Sequence, residues 1–192
     1  MTKKKLLLHI CCAPCASGAM LSLNKTILKT DFRLSFYWHN PNIWDAEEYG
    51  KRKNSALLYA ANLNIDFLEY PNFIYGKGGE RQIWADEKGK AVKNCAKCYK
   101  ERLLKTALCA KENNFDFFSS SLLASPHQDH FLVKRIAEEL SVSCNIEFLY
   151  FDFRPFFYEG KAEAKKKGCY FQKYCGCEFS FIDRFGKTSQ KI

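Results

Sequence analysis

Seven of the ten cysteines fall into three tight groups: Cys11-Cys12-Ala13-Pro14-Cys15 near the start, Cys95-Ala96-Lys97-Cys98 in the middle, and Cys175-Gly176-Cys177 near the end. Thiols so grouped and so far apart in sequence serve a common purpose only if folding joins the two ends of the chain to its centre. Thiolates at these spacings are soft ligands suited to zinc or to iron–sulfur clusters. A lone cysteine is better read as a small core residue, and Cys109, Cys144 and Cys169 are read that way. Structural zinc fits poorly, because a closed site takes four ligands from paired C-x-x-C ribbons. Cys95 and Cys98 lie one helical turn apart and are expected on one face. Neighbouring side chains in extended backbone point to opposite faces, so Cys11 and Cys12 are expected to serve different centres, or to leave one thiol for redox work. Gly176 allows the turn that aims Cys175 and Cys177 together.

A chain of 192 residues, 47% hydrophobic and 27% charged, is long enough for one domain with a full core, and residues 1–192 are read as a single α/β domain. The N-terminal Met1-Thr2-Lys3-Lys4-Lys5 precedes too few apolar residues for a secretory leader, and no apolar run approaches bilayer length. A reducing cytoplasm is therefore expected, where clustered thiols bind metal or do redox chemistry instead of forming disulfides. Thirty Lys and Arg against 21 Asp and Glu leave a net charge of +9. That balance favours a polyanionic partner such as nucleic acid, or describes a solvated basic surface.

Leu6 to Ile10 reads as a buried first strand running into the first thiol group, with Pro14 in the opening turn of a helix to Leu23. Phe32 to Trp38 is a second strand closing on Asn40-Pro41-Asn42, which is turn chemistry. Asp45 caps a helix to about Asn64, with Glu48 at capping-box spacing and Tyr49, Leu57, Leu58 and Ala61 as its apolar face. Asp66 to Tyr70 is a third strand. Pro71 to Asn94, broken by Gly76, Gly78, Gly79 and Gly89, is an irregular connection that lacks phosphate-loop spacing. A helix from Cys95 to Asn113, a strand from Phe115 to Ser125, a helix from Phe131 to Leu140, a strand from Ile146 to Phe153 and a short helix from Lys161 to Lys167 complete the reading. Alternating strands and helices predict a largely parallel sheet whose site lies beyond the strand C-termini.

The loops at those ends carry further candidates. His127, Asp129 and His130 follow the fourth strand, and Asp152 and Arg154 end the fifth. Asp129 and Asp152 are candidate acids or metal ligands, a partly desolvated carboxyl having a raised pKa. Asn40 and Asn42 are turn-formers or base-edge readers. Lys165, Lys166 and Lys167 form a short basic run suited to phosphates.

Six ordered stretches resemble the epoxyqueuosine reductase QueH family: His9 to Cys15; Tyr37 through Asn40-Pro41-Asn42-Ile43 to Glu48-Tyr49 and Arg52; Cys95 to Tyr99 with Arg102-Leu103; Ser121-Leu122-Leu123 with Ser125 to His130; Asp152-Phe153-Arg154; and Tyr170 to Ser180. The resemblance implies a Rossmann-like fold of the HUP type. It implies a reductase for the last step of queuosine formation, removing the epoxide oxygen at the wobble base of tRNA with two electrons and two protons. It also implies a 4Fe-4S cluster, a second metal ion for which iron is expected, and an electron donor that the sequence does not identify. Cys11, Cys12, Cys15, Cys95, Cys98, Cys175 and Cys177 are then the metal ligands, one short of two four-ligand sites. Two rival readings are an iron–sulfur tRNA sulfur transferase and a zinc-stabilised RNA-binding module. The transferase would carry an S-G-G-x-D-S loop where His9 to Pro14 stand.

Overall fold

Residues 3–27, 32–70 and 92–186 are described by a computed structural model. The expected irregular connection falls almost entirely on residues 71–91, outside the described residues.

Leu6, Leu7 and Leu8 have no solvent exposure and form the centre of strand β1 (Lys4–His9). A strand covered on both faces reads as a continuous apolar run. It pairs in parallel with β2 (Phe32–Trp38) on one side and with β4 (Phe117–Ser120) on the other. β3 (Asp66–Glu69) and β5 (Glu147–Phe148) form the edges, giving the order β3-β2-β1-β4-β5, all parallel. The chain builds outward from β1 through β3, then crosses to β4 on its other side. The gap between the C-termini of β1 and β4 is therefore the topological switch point, where such sheets bind their ligands.

Helix α1 (Ala13–Thr26) follows β1 directly, with Pro14 in its first turn. Helix α2 (Ala46–Asn62) is capped by Asp45, whose carboxylate accepts from Glu48 N at 2.7 Å. The buried face of α2 is Tyr49, Ala56, Tyr59 and Ala60, not the expected set: Leu57 and Leu58 face solvent. Helix α3 (Cys95–Glu112) is capped by Asn94, and α4 (His130–Cys144) by Asp129. Asn64, Asn114 and Asn145 take positive φ just beyond α2, α3 and α4, a conformation asparagine tolerates.

Helix α5 (Phe157–Lys166) starts earlier than the expected Lys161 and packs on α1, where Gly160 meets the backbone of Gly18; a side chain at Gly160 would collide there. Helix α6 (Glu178–Phe185) occupies a stretch where no helix is expected from the sequence pattern. The fourth strand is shorter than expected, because the Ser120 hydroxyl accepts from Leu122 N and bends residues 121–124 into a 3-10 turn. The fifth keeps only two paired residues; Phe151 and Phe153 lie beyond it and stack on each other. Among the described residues, no helix is long and apolar enough to cross a membrane.

Candidate metal centre

At the switch point β1 ends and the chain bends at Cys11. Cys12, the N-cap of α1, is extended, and Cys15 lies in the first turn. Sγ of Cys11 and Cys12 are 3.8 Å apart, and the three sulfurs of Cys11, Cys12 and Cys15 lie within 4.8 Å of one another. This corrects the expectation that adjacent thiols diverge. The opposite-face rule holds within a strand, whereas here the strand has ended at His9, Cys11 sits in a bend and Cys12 caps the helix that begins at Ala13. Cys11 N donates to Ser121 Oγ at 3.1 Å, tying the turn to the end of β4, and the same hydroxyl lies 3.5 Å from Cys11 Sγ. Gln172 Nε2 donates to Cys12 Sγ at 2.7 Å.

Hydrogen bonds from Cys12 and Cys15, with help from Arg102 and Ser121, hold the Cys11 pKa well below the usual thiol range. Burial pushes Cys12 up, and hydrogen bonding to Cys11 pushes Cys15 up. Beneath the turn lies His9, wholly buried, with Nδ1 at 2.9 Å from Ser120 Oγ and Nε2 at 3.2 Å from His39 O. A carbonyl only accepts, so Nε2 carries the proton. Desolvation, with Arg102 nearby, lowers this pKa to about 3, and the ring is neutral.

The other four thiols lie on α3 and on the C-terminal loop that leads into α6. Cys98 is buried on α3, and burial pushes its thiol up to about 12, opposed by Arg102 and reinforced by Cys175 and Cys177. Cys95, one turn earlier, is exposed and has Cys177 and Asp129 as electrostatic neighbours. Cys175 is exposed as a residue, yet desolvation still raises its pKa, and Gln128 Nε2 stands 3.8 Å from its sulfur. Gln128 is held in turn by the Tyr99 hydroxyl at 2.9 Å. Cys177 is the N-cap of α6, its sulfur accepting from Ser180 N at 3.4 Å. Among the described residues, only Cys11, Cys12 and Cys15 meet as closely as metal ligands do.

Side chains place the C-terminal loop. Arg52, 2% exposed on α2, donates from Nη1 to Cys175 O at 2.8 Å and from Nη2 to Tyr174 O at 3.0 Å. Its Nε donates to Glu48 Oε1 at 2.7 Å, and Tyr170 Oη donates to Glu48 Oε2 at 2.6 Å. Glu48 therefore faces inward instead of closing a capping box. Gly176 has φ 128°, and a side chain there would press on Asn42, Ile43 and Arg52. Asn40 and Asn42 are buried, and Asn40 joins Arg102 to Ile10 O. That burial corrects the base-reading alternative for both.

The remaining candidates lie on the rim. Asp129 Oδ1 caps α4 by accepting from Leu132 N at 3.0 Å. Asp152 is gripped by Arg154, with bonds of 2.8 and 2.7 Å, and this pair lowers its pKa, opposite to the expected direction. His130 is buried with Nε2 at 3.0 Å from Tyr150 Oη, and burial lowers its pKa; His127 is exposed. Arg52, Arg102, Gln128 and Gln172 form no motif on their own, although all four fall within the stretches that resemble the family. For the two arginines the local signal is a position one turn after Glu48 or Cys98 on an amphipathic helix.

Fold and site together define an α/β protein with a thiol centre at its switch point. The donor set suits a soft metal: three clustered sulfurs receive hydrogen bonds from Gln172 and from one another. The family described as "Epoxyqueuosine reductase QueH" matches residues 6–183. A Dehalococcoides mccartyi protein named epoxyqueuosine reductase QueH is 33% identical over 185 residues, covering 96% of this chain and 97% of its own. A Thermotoga maritima protein of the same name is 30% identical over 191 residues, covering 96% and 94%. The chain belongs to the epoxyqueuosine reductase QueH family, and with it to the oxidoreductases. Among solved structures, a deacetylase of teicoplanin biosynthesis superposes with a TM-score of 0.50 at 12% identity, covering 85% of this chain and 83% of that one. That likeness is one of fold alone.

Proposed function

We propose that this chain, working as one α/β domain, reduces epoxyqueuosine to queuosine at the wobble position of tRNA. The observation that carries the proposal is the three-sulfur cluster at the switch point, in a chain that the family spans from residue 6 to 183. We assign Cys11, Cys12, Cys15, Cys95, Cys98, Cys175 and Cys177 to a 4Fe-4S cluster and a second metal ion, with iron as our choice. The C-terminal loop closes this centre. An external donor supplies the electrons, and the protein works in the cytoplasm.

The epoxide carbons gain two electrons, both C–O bonds break, and the oxygen leaves as water after taking two protons. When bound, the metal centres supply single electrons and a Lewis acid. The chain's own residues then have three tasks. Arg52 and Glu48 hold the C-terminal thiols in place. Gln172, Ser121 and Gln128 direct their hydrogen bonds at Cys12, Cys11 and Cys175, which favours the thiolate form of each. Asp129 is the better candidate of the two carboxylates for acid or eighth ligand: it stands among the electrostatic neighbours of Cys95, while the Arg154 pair holds Asp152 ionised.

The test is anaerobic incubation of iron- and sulfide-reconstituted protein with epoxyqueuosine-containing tRNA and a low-potential reductant. Nucleoside mass analysis should then find queuosine, lighter by one oxygen. Appearance of a thiolated base would support sulfur transfer instead. A colourless protein that holds zinc and leaves the nucleoside intact would support the RNA-binding reading.

A further inference from the structure

Arg102 lies one turn after Cys98 on α3, with 2% of its surface exposed. Nη2 donates to Asn40 Oδ1 at 2.7 Å, Nη1 stands 4.0 Å from Cys98 Sγ, and among the described residues Nε has no hydrogen-bond partner. Asn40 Nδ2 donates to Ile10 O at 3.0 Å, so the guanidinium is tied to the residue just before Cys11. Among the described residues no carboxylate pairs with it, and its charged neighbours are the thiols of Cys98, Cys11 and Cys175. Arg52, the other buried arginine of the site, is instead paired with Glu48.

A guanidinium does not give up its proton in a protein, and a buried cation without an anion is strongly unfavourable. Asn40 offers only a neutral acceptor. Among the described residues, sulfur is then the source of the balancing charge.

We infer that Arg102 is the buried counter-ion of the thiolate centre, a positioning residue whose fixed charge stabilises the anionic sulfur near it. This rests on the metal-centre reading above and adds a named source of its charge balance. Two consequences follow from electrostatics. Metal binding deprotonates thiols, and a nearby cation favours the deprotonated, metal-loaded state. Reduction adds negative charge, which the same cation also favours, so removing it moves the midpoint potential downward.

Arg102→Met keeps much of the side-chain volume and removes the charge; Arg102→Lys keeps the charge and loses the planar fork. Each is reconstituted anaerobically with iron and sulfide beside the unmodified protein. Iron retained against a chelator, midpoint potential and metal-free melting temperature are measured. The Met variant should hold iron about tenfold more weakly, as loss of residues behind metal ligands commonly costs. Its remaining centre should titrate at lower potential, while the Lys variant stays nearer the unmodified protein in both. The metal-free Met variant should melt below the unmodified protein and the Lys variant nearer to it, because removing one partner of a buried ionic contact is destabilising.

Unchanged iron retention and potential in the Met variant would overturn the inference, and so would Met and Lys variants that shift the potential equally. If the Met variant fails to fold, Arg102→Gln is compared with Arg102→Lys. Iron held by Lys and lost by Gln supports the counter-ion; equal behaviour sinks it. Unmodified protein that takes up no iron overturns the cofactor reading and this inference with it, whereas normal uptake with an indifferent Met variant overturns the inference alone.

Discussion

Cys12 and Cys15 are buried by backbone: β1 delivers them, α1 turns them inward, and β4 closes the side. Cys175 and Cys177 sit on a loop between α5 and α6, more open to solvent, and take their position from the side chains of Arg52, Glu48 and Tyr170 and from one backbone bond, Trp44 N to Gly176 O at 3.0 Å. The first group belongs to the fold's own geometry and should survive most substitutions outside it. The second hangs on a few hydrogen bonds made far away in sequence. Loss of one arginine should therefore disorganise one half of the centre and spare the other.

The largest effect expected is on the ligands themselves. Cys95→Ala or Cys177→Ala, like Cys12→Ala, should remove most bound iron, whereas Cys109→Ala and Cys144→Ala should leave iron per chain nearly unchanged. Equal losses in both sets, measured by iron assay and visible absorption, would show the ligand assignment to be wrong and dissolve the comparison.

Next in size is Arg52→Met. It removes the bonds to Cys175 O, Tyr174 O and Glu48, and strands a carboxylate that is 9% exposed. Breaking a buried pair from one side costs about 3–5 kcal/mol. Denaturant unfolding of the metal-free protein should show that loss. Alkylation followed by peptide mass mapping should show Cys175 and Cys177 reacting faster while Cys12 and Cys15 do not. Acceleration at all four sites would mean that the two regions are a single cooperative unit.

The same contrast explains which parts of the molecule are legible in its sequence. β1 and α1 announce themselves locally, through Leu6 to Leu8 and Pro14, so the first thiol turn can be placed at a strand end. The thiol groups are equally plain, because spacing is a local property. Arg52 and Arg102 are not, since a charge on a helix normally marks its wet face. What buries Arg52 is Cys175 and Tyr174, over a hundred residues away. The expected β4 runs too long because Ser120 and Ser121 fit a strand as well as a turn until a hydroxyl is seen to cap the bend. The expected β5 runs too long for a related reason: the Phe151–Phe153 alternation that suggests a strand serves ring stacking instead. Helix α6 escapes the pattern because it is short, and its aromatic residues Phe181 and Phe185 pack on Tyr174, beside the thiol loop itself.

A third test separates the two rim acids along the same line, since Asp129 accepts from the backbone of Leu132, whereas Asp152 accepts from both the backbone and the side chain of Arg154. Asn caps helices about as well as Asp. Asp129→Asn should thus leave stability nearly unchanged, and a fall in turnover of about 10²–10⁴-fold would report a lost proton donor. Iron that falls with turnover would report a lost ligand instead. Asp152→Asn should do less. Its pKa is depressed by Arg154, so the stabilisation is fully present above the ordinary carboxylate pKa and is lost as pH falls through the depressed one. The pair is largely solvated and its contribution is small. Acid unfolding curves should accordingly be shallower for the Asn variant in that window and parallel above it.

The smallest effect expected concerns Lys165, Lys166 and Lys167. Lys165 and Lys166 occupy the last turn of α5, where cations complement the helix dipole, and Lys167 pairs with Glu163 at 3.4 Å. Replacing all three by Ala should cost the helix end about 0.3–1 kcal/mol per dipole-facing charge. Gly168 and Cys169 follow at once and lead into the thiol loop, so the substitution tests whether that loop depends on α5 or on Arg52. If Arg52 is sufficient, Cys175 alkylation should stay at the unmodified rate. The loss should appear instead as a higher KM for tRNA with little change in kcat, and as a shallower dependence of binding on salt, because fewer phosphate counterions are released. Faster alkylation with an unchanged KM would reverse the assignment, making the lysines part of the loop's support and placing the RNA contact elsewhere.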